Sequence, residues 1–444
     1  MNGKFKEDYK RKLLSLEEAA RLIQTGDKII GMIGVGEATA IIDAIGKRAN
    51  AGEFDDVEFI AMGTSLSKGW FSPETYPHMR CNVTFIFSPE VRNAINNAYA
   101  DFTPSHGSDF PRLITDYMIK DRAPGTTKLI SYVSPMDKYG YFSFGAGPGY
   151  SLEASRLDNT THIVQVNRNM PYVGGDNFIH ISEVDYIVEH DEPLFTISAP
   201  EPSAEDLAIA GTIAEMIDDG STIQLGIGSM PNTLGKLLVN KSDLGVHSEM
   251  ISDAYMHLWA AGVITGKKKT VRPFKMVGCF AMGSSEVYEW LNYNPVIEMY
   301  SQAWTNNPYI IGQNNKMASI NQILEIDLTG QAASEGIGPR IYSGTGGQAN
   351  FVQGAYMSPG GKSFLCCKST AETKAGRVSA IVPLLRHGAA VTTSRTDIQY
   401  VVTEYGIAQL KGKSFRQRAQ ELIGIAHPDF RGELRQEAKK LNLF

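Results

Sequence analysis

Two stretches of the chain carry the same order of apolar and polar positions. One reads SLEEAARLIQTGDKIIGMIGVGEATAIIDAIGKRA from Ser15, the other SAEDLAIAGTIAEMIDDGSTIQLGIGSMPNTLGKLL from Ser203. Each opens on a serine three positions before an acid, Ser15-x-x-Glu18 and Ser203-x-x-Asp206. That is the capping-box pattern of a helix start, in which Asp is the weaker partner. Apolar residues then recur at helical spacing until a glycine, Gly26 or Gly220, stops the helix. A short apolar strand follows and ends in a G-x-G turn, Gly34-Val-Gly36 and Gly226-Ile-Gly228, before a second helical pattern. The repeat of helix, strand, glycine turn and helix predicts an internal duplication.

Between the halves, DEPLFTISAPEP holds Pro193, Pro200 and Pro202, which disfavour helix and central strand alike. The predicted organisation is a domain over 1–192, a linker over 193–202 and a domain over 203–444. Other short apolar runs are VEFIAMG, VTFIFS, KLISYVSP, HIVQVN and YIVEH, then FKMVGCFAMG, KSFLCC, SAIVPLL and YVVTEYG. Continuous apolar strands alternating with helices predict two similar open α/β domains with mainly parallel sheets. Ligands in such sheets sit at the carboxyl ends of strands, where both glycine turns fall. A length of 444 residues fits two domains.

Composition changes little in this picture. Hydrophobic residues make up 43% and charged residues 20%, as in an ordinary globular protein. The net charge of −6 argues against a nucleic-acid binder. The four cysteines (Cys81, Cys279, Cys366, Cys367) show no CxxC spacing and read as buried free thiols of a reducing cytoplasm. The charged N-terminus lacks the apolar region of a signal peptide. No run approaches the roughly 18 apolar residues that span a bilayer, so a cytoplasmic protein without membrane contact is expected.

Three segments carry candidate chemistry. Gly226-Ile227-Gly228-Ser229-Met230-Pro231-Asn232 is either a phosphate- or acyl-binding turn or a plain strand-to-helix turn. It is not the dinucleotide fingerprint, because Pro231 and Asn232 stand where the third glycine belongs, and no P-loop is present. Ser343-Gly344-Thr-Gly346-Gly347-Gln-Ala-Asn350 exposes a row of backbone donors suited to an oxyanion hole. In HSEMISDAYMHLW, Glu249, Asp253 and His257 are spaced i, i+4, i+8 and would share one helix face. That spacing raises a metal site, but no further ligand cluster completes it and the opposite face (Met250, Ala254, Leu258, Ala261) is apolar. No metal is expected. By its own neighbours Glu249 reads as a solvated carboxylate at a helix end. Flanked by the two glycine loops, it becomes a candidate nucleophile for acyl transfer.

Six ordered motifs make the chain similar to a known family. They are GIGSMPN with DLGVHSEM, SINQILEIDLTGQ from Ser319, SGTGGQANF from Ser343, VTEYGIAQLKG from Val402 and RAQELIGIAHPDFR from Arg418. Over nearly its whole length the chain resembles the acetyl-CoA hydrolase/transferase branch of the class I CoA-transferases, above all the 4-hydroxybutyrate and butyryl-CoA:acetate CoA-transferases. The resemblance implies the CoA-transferase α/β fold and exchange of coenzyme A between short-chain acyl-CoA and carboxylates. Coenzyme A would be a substrate, with no tightly bound cofactor, and the assembly a homodimer. It makes Glu249 the catalytic glutamate, acylated and then thioesterified in turn. It implies that Asn321 supplies a side-chain amide to the oxyanion, that the loop with Gly346 and Gly347 supplies a backbone donor, and that the turn Gly226–Asn232 lines the acyl pocket. Gly344 and Asn350 belong to the same binding loop. Relatives usually carry an acid where Asn350 stands, so an altered local hydrogen bond is expected there.

The remaining features read as structure. His247 has no role in a mechanism whose nucleophile, a glutamate, is ordinarily ionised near pH 7. Tyr405 and the IAHPDFR segment read as packing and helix-cap residues, and the GKKK run at Gly266 as a solvated turn. The rivals to a transferase are an acyl-CoA hydrolase and a non-covalent metabolite-binding α/β module.

Overall fold

The computed structural model describes residues 3–64, 69–123, 125–198, 201–226, 228–374 and 376–444. Ile227 of the second glycine turn and Pro200 of the expected linker lie outside the described residues. Two compact units emerge, one of Met1–Ile197 with Val277–Thr305, the other of Ser198–Met276 with Asn306–Phe444.

The first unit is built on a seven-stranded parallel sheet. Its strands run in the order Tyr186–Glu189, Thr160–Val166, Thr127–Val133, Lys28–Ile30, Val57–Ala61, Met79–Val83 and Asp101–Phe102. Every residue of Thr127–Val133 is buried, as a strand covered on both faces requires. The segment 277–305 departs from a simple division into halves, and local contacts show why it joins this unit. Its strand Ile297–Met299 pairs in parallel with Gly174–Gly175. Tyr293 stacks on Tyr172 with ring centroids 5.0 Å apart.

In the second unit, six strands run in the order Gly406–Gln409, Tyr400–Thr403, Lys362–Cys366, Met317–Gln322, Thr222–Leu225 and Gly245–His247. All neighbours are parallel except the hairpin of the first two. Helices Phe415–Ile425 and Pro428–Lys440 bury Leu422, Ile423, Leu434 and Ala438 in a core shared with Val401 and Leu365. The sheets are therefore largely parallel and the fold mixed α/β.

Both predicted capping boxes form. Ser15 Oγ accepts from Glu18 N while Ser15 N donates to Glu18 Oε2. Asp206 closes the second box in the same way, and is buried. Its other oxygen contacts explain why a shorter acid serves: Ser229 Oγ donates to Asp206 Oδ2 at 3.1 Å, with Lys368 Nζ 3.6 Å away.

Candidate active site

Three adjacent parallel strands of the second unit point their carboxyl ends the same way, and each delivers part of the site. Thr222–Leu225 runs into Gly226, Gly245–His247 runs into Ser248 and Glu249, and Met317–Gln322 carries Asn321 near its end. Glu249 is not helical. It stands between two short strands, and the helix Asp253–Ala260 begins only after Ser252. The expected i, i+4, i+8 face shared with Asp253 and His257 therefore does not exist. Among the described residues, no three His, Cys, Asp or Glu side chains gather as metal ligands.

The Glu249 carboxylate is partly exposed and both of its oxygens are held. Asn306 Nδ2 donates to Oε1 at 3.0 Å, and Gly347 N donates to Oε2 at 3.1 Å. Gly347 caps the helix Gln348–Met357, so its N–H and the positive helix end both favour negative charge there. A side chain at this position would displace the carboxylate. A Cβ on residue 347 would lie 2.4 Å from Glu249 Oε2 and 2.8 Å from Asn306 Nδ2. The preceding Gly346 takes φ +54°, which turns the chain into the helix. The loop is anchored on either side: Thr345 Oγ1 donates to Glu335 Oε2 at 3.0 Å and Gln348 Nε2 to Thr393 Oγ1 at 2.9 Å. Gly344 is buried within it, and Asn350 is buried in the first turn of the helix.

Asn306 carries no motif and was not singled out in the sequence. It is fully buried, and its Oδ1 has no hydrogen-bond partner among the described residues. Leaving an amide oxygen unpaired costs about 1–3 kcal/mol. Turning that oxygen toward the carboxylate would be worse, so Glu249 sets the amide's orientation. The neighbouring Asn307 does have a readable signal, an Asn-Pro helix start, and its Oδ1 accepts from Tyr309 N at 2.9 Å.

Asn321 sits in a second grouping. Its Nδ2 donates to Gln224 Oε1 at 3.1 Å and Ser319 Oγ at 3.2 Å, while its Oδ1 accepts from Gln224 Nε2 at 3.2 Å. Gly226 N donates to Ile320 O at 2.9 Å, and a Cβ on Gly226 would stand 3.4 Å from Asn321 Oδ1. The described Gly226 and Asn321 are thus brought together, as are Glu249 and Gly347. The side-chain amide against Glu249 is that of Asn306.

The rest of the turn is largely structural. Gly228 takes φ +134° with ψ −179°, a conformation open to glycine, and leads into the helix Ser229–Leu237. Met230 and Pro231 are buried, Pro231 in the first turn where a missing N–H is tolerated. Ser229 is occupied by Asp206, and Asn232 is partly exposed.

His247 is buried, with Asn314 Nδ2 3.3 Å from its Nδ1 and Phe351 edge-on, as a packing residue would be. Tyr405 meets His427 edge-on, and His427 Nδ1 accepts from Asp429 N to cap the last helix. The GKKK run is only partly solvated: Lys267 pairs with Asp243 at 2.9 Å, but Lys269 is buried. All four cysteines are buried free thiols, and burial pushes the Cys367 thiol up to about 12. Among the described residues no helix is long and apolar enough to cross a membrane.

Comparison with known proteins follows the same lines. Residues 2–198 match the acetyl-CoA hydrolase/transferase N-terminal domain, and residues 283–438 its C-terminal domain. The 4-hydroxybutyrate coenzyme A transferase of Clostridium kluyveri is 44% identical, over 98% of this chain and 99% of that one. The succinyl-CoA:cyclohexane-1-carboxylate CoA transferase of Geobacter metallireducens is 43% identical, over 99% and 97%. The crystal structure of RipA from Yersinia pestis superposes with a TM-score of 0.91 at 36% identity, covering 99% of this chain and all of that one.

Proposed function

The chain belongs to the acetyl-CoA hydrolase/transferase family, and from that premise we propose that it exchanges coenzyme A between a short-chain acyl-CoA and a free carboxylate, with Glu249 as covalent carrier. The relatives' names support a transferase. The donors we assign are 4-hydroxybutyryl-, butyryl- or acetyl-CoA, with acetate as an acceptor. The buried free thiols fit a reducing cytoplasm, where we place it.

Glu249 attacks the thioester carbonyl; the C–S bond breaks, leaving an acyl–glutamyl anhydride and CoA thiolate. The thiolate then adds to the Glu249 Cδ, and the first acid leaves with one carboxylate oxygen. What remains is a glutamyl–CoA thioester, which an incoming carboxylate resolves in reverse. In the step at Cδ, the oxyanion is an oxygen of Glu249 itself. The observation that carries this reading is that both oxygens already hold N–H donors at 3.0 and 3.1 Å, the range in which such donors stabilise a developing oxyanion. Asn306 and the Gly347 N–H take those roles. Asn321, beside Gly226, borders the acyl side at the neighbouring strand ends.

Incubation with acyl-CoA followed by mass spectrometry tests the covalent step. A CoA-sized adduct on the peptide holding Glu249, absent in Glu249→Ala, is expected. Exchange should fall by at least about 10⁴-fold in that variant, as loss of a nucleophile does. Appreciable exchange by Glu249→Ala would sink the assignment, and acyl-CoA consumption equally fast without a carboxylate acceptor would make the enzyme a hydrolase.

A further inference from the structure

In the first unit a cleft of about 370 Å³ lies at the carboxyl edge of the parallel sheet. Its floor comes from the ends of three neighbouring strands: Pro135 and Met136 after Thr127–Val133, Val166 with Arg168 after Thr160–Val166, and Glu189, His190 and Asp191 at the end of Tyr186–Glu189. Its wall is the N-terminal helix Gly3–Lys12, which contributes Lys6, Tyr9 and Lys10. Pockets of this size and place are where open α/β sheets take small ligands.

The helix is fixed to the unit through Phe5, Tyr9 and Lys12. Phe5 meets His180 edge-on at 5.3 Å, Tyr9 stacks on Phe142 at 6.2 Å, and Lys12 Nζ donates to Ile181 O at 2.7 Å. Lys6 and Lys10 are left side by side, one turn apart, without an ion pair among the described residues. Like charges at i, i+4 weaken a helix unless something offsets them. The two acids of the cleft do not. Glu189 accepts from the Tyr9 hydroxyl at 2.8 Å, and Asp191 is bridged by Nε of Arg168 at 3.5 Å, a side chain that is otherwise largely exposed. Three cations against two carboxylates leave one net positive charge over an apolar patch of Pro135, Met136 and Val166.

We propose that this cleft binds an organic monocarboxylate with an apolar body, its carboxylate between Lys6, Lys10 and Arg168 and its body against Met136 and Val166. All of its lining residues belong to the first unit, and none of them is assigned a part in the transfer chemistry.

Hydrogen–deuterium exchange on the full chain, titrated with hexanoate, tests the proposal. The Glu249→Ala background keeps covalent chemistry out of the reading. Saturable slowing is expected in residues 3–12 and 186–191. In Lys6→Ala/Lys10→Ala the midpoint should move to at least about tenfold higher concentration, which is a loss of about 1.4 kcal/mol. Lys6→Arg/Lys10→Arg should keep the wild-type midpoint and so separates lost charge from a damaged helix. Inorganic phosphate and hexan-1-ol should each produce no matching protection. No slowing with hexanoate, an equal response to phosphate or hexanol, or an unchanged midpoint in the double alanine variant would each overturn the proposal.

Discussion

The two glycine turns begin with the same local pattern and end in different company. In the first unit Gly34–Gly36 forms a 3-10 turn pressed against a second glycine loop. A Cβ on Gly36 would stand 2.6 Å from Gly147 O, and one on Gly147 would stand 2.5 Å from Gly36 N. In the second unit the turn at Gly226 borders Asn321, and the next strand over delivers Glu249. The first turn is a backbone clamp; the second borders Asn321, one strand away from the proposed nucleophile Glu249. A sequence repeat has copied the scaffold, while the chemistry we propose sits on residues outside it: Glu249, Asn306 and Gly347.

The contrast is tested most severely at Gly347. Gly347→Ala forces a methyl to 2.4 Å from the Glu249 carboxylate, so the carboxylate must leave both donors. Exchange should drop by about 10³-fold, the cost of a lost oxyanion donor together with a displaced nucleophile. The melting temperature should barely move, because the methyl meets a side chain rather than packed backbone. A variant that melts much lower yet keeps its turnover would reverse the reading.

Asn306→Ala ranks next. It removes one donor at 3.0 Å from Glu249 Oε1 without intruding on the carboxylate. Exchange should fall by about 10²-fold, the lower end for an oxyanion donor. Asn321→Ala, measured beside it, sharpens the assignment: if it costs as much and Asn306→Ala costs little, the amide expected from resemblance is the catalytic one.

Much of the scaffold could be read from the chain. Capping boxes, glycine stops and apolar runs act through near neighbours, and KLISYVSP, HIVQVN and YIVEH fall on observed strands. Where reach is longer, the reading slips. VTFIFS overlaps a strand that ends at Val83, because pairing with Val57–Ala61 fixes the register earlier. SAIVPLL yields only the two-residue strand Ile381–Val382, which pairs with Ile326 and Asp327 in a small separate sheet. Glu249 stands out in the chain through its motif, yet its helical placement failed because Met250 and Ile251 are extended and Ser252 starts the helix late. Asn306 left no trace: its partner is 57 positions away, and a lone asparagine before Asn-Pro reads as part of a turn.

Gly36→Ala probes the other side of the comparison with a smaller effect. Its methyl meets the Gly147 carbonyl at 2.6 Å, an overpacking clash worth about 1–3 kcal/mol. For a chain this large that lowers the melting temperature by only a few degrees, about 2–4 °C or less per kcal/mol. Exchange by the folded protein should change far less than in Gly347→Ala. Lost exchange at an unchanged melting temperature would place the first turn in the reactive site as well.

The smallest effect is expected where spacing alone suggested a metal. Asp253 opens the helix Asp253–Ala260, where its negative charge suits the helix dipole, and His257 lies exposed in its last turn. Asp253→Asn should therefore cost no more than about 1 kcal/mol of stability, and His257→Gln less than about 0.5 kcal/mol, as at an ordinary surface position. Exchange should be unchanged after dialysis against a chelator, since two N–H groups already hold the Glu249 carboxylate and no three His, Cys, Asp or Glu side chains gather as metal ligands among the described residues. If a chelator abolished exchange and a divalent ion restored it, Glu249 would belong with Asp253 and His257 after all, and the contrast between a clamp and a donor-held carboxylate would fail.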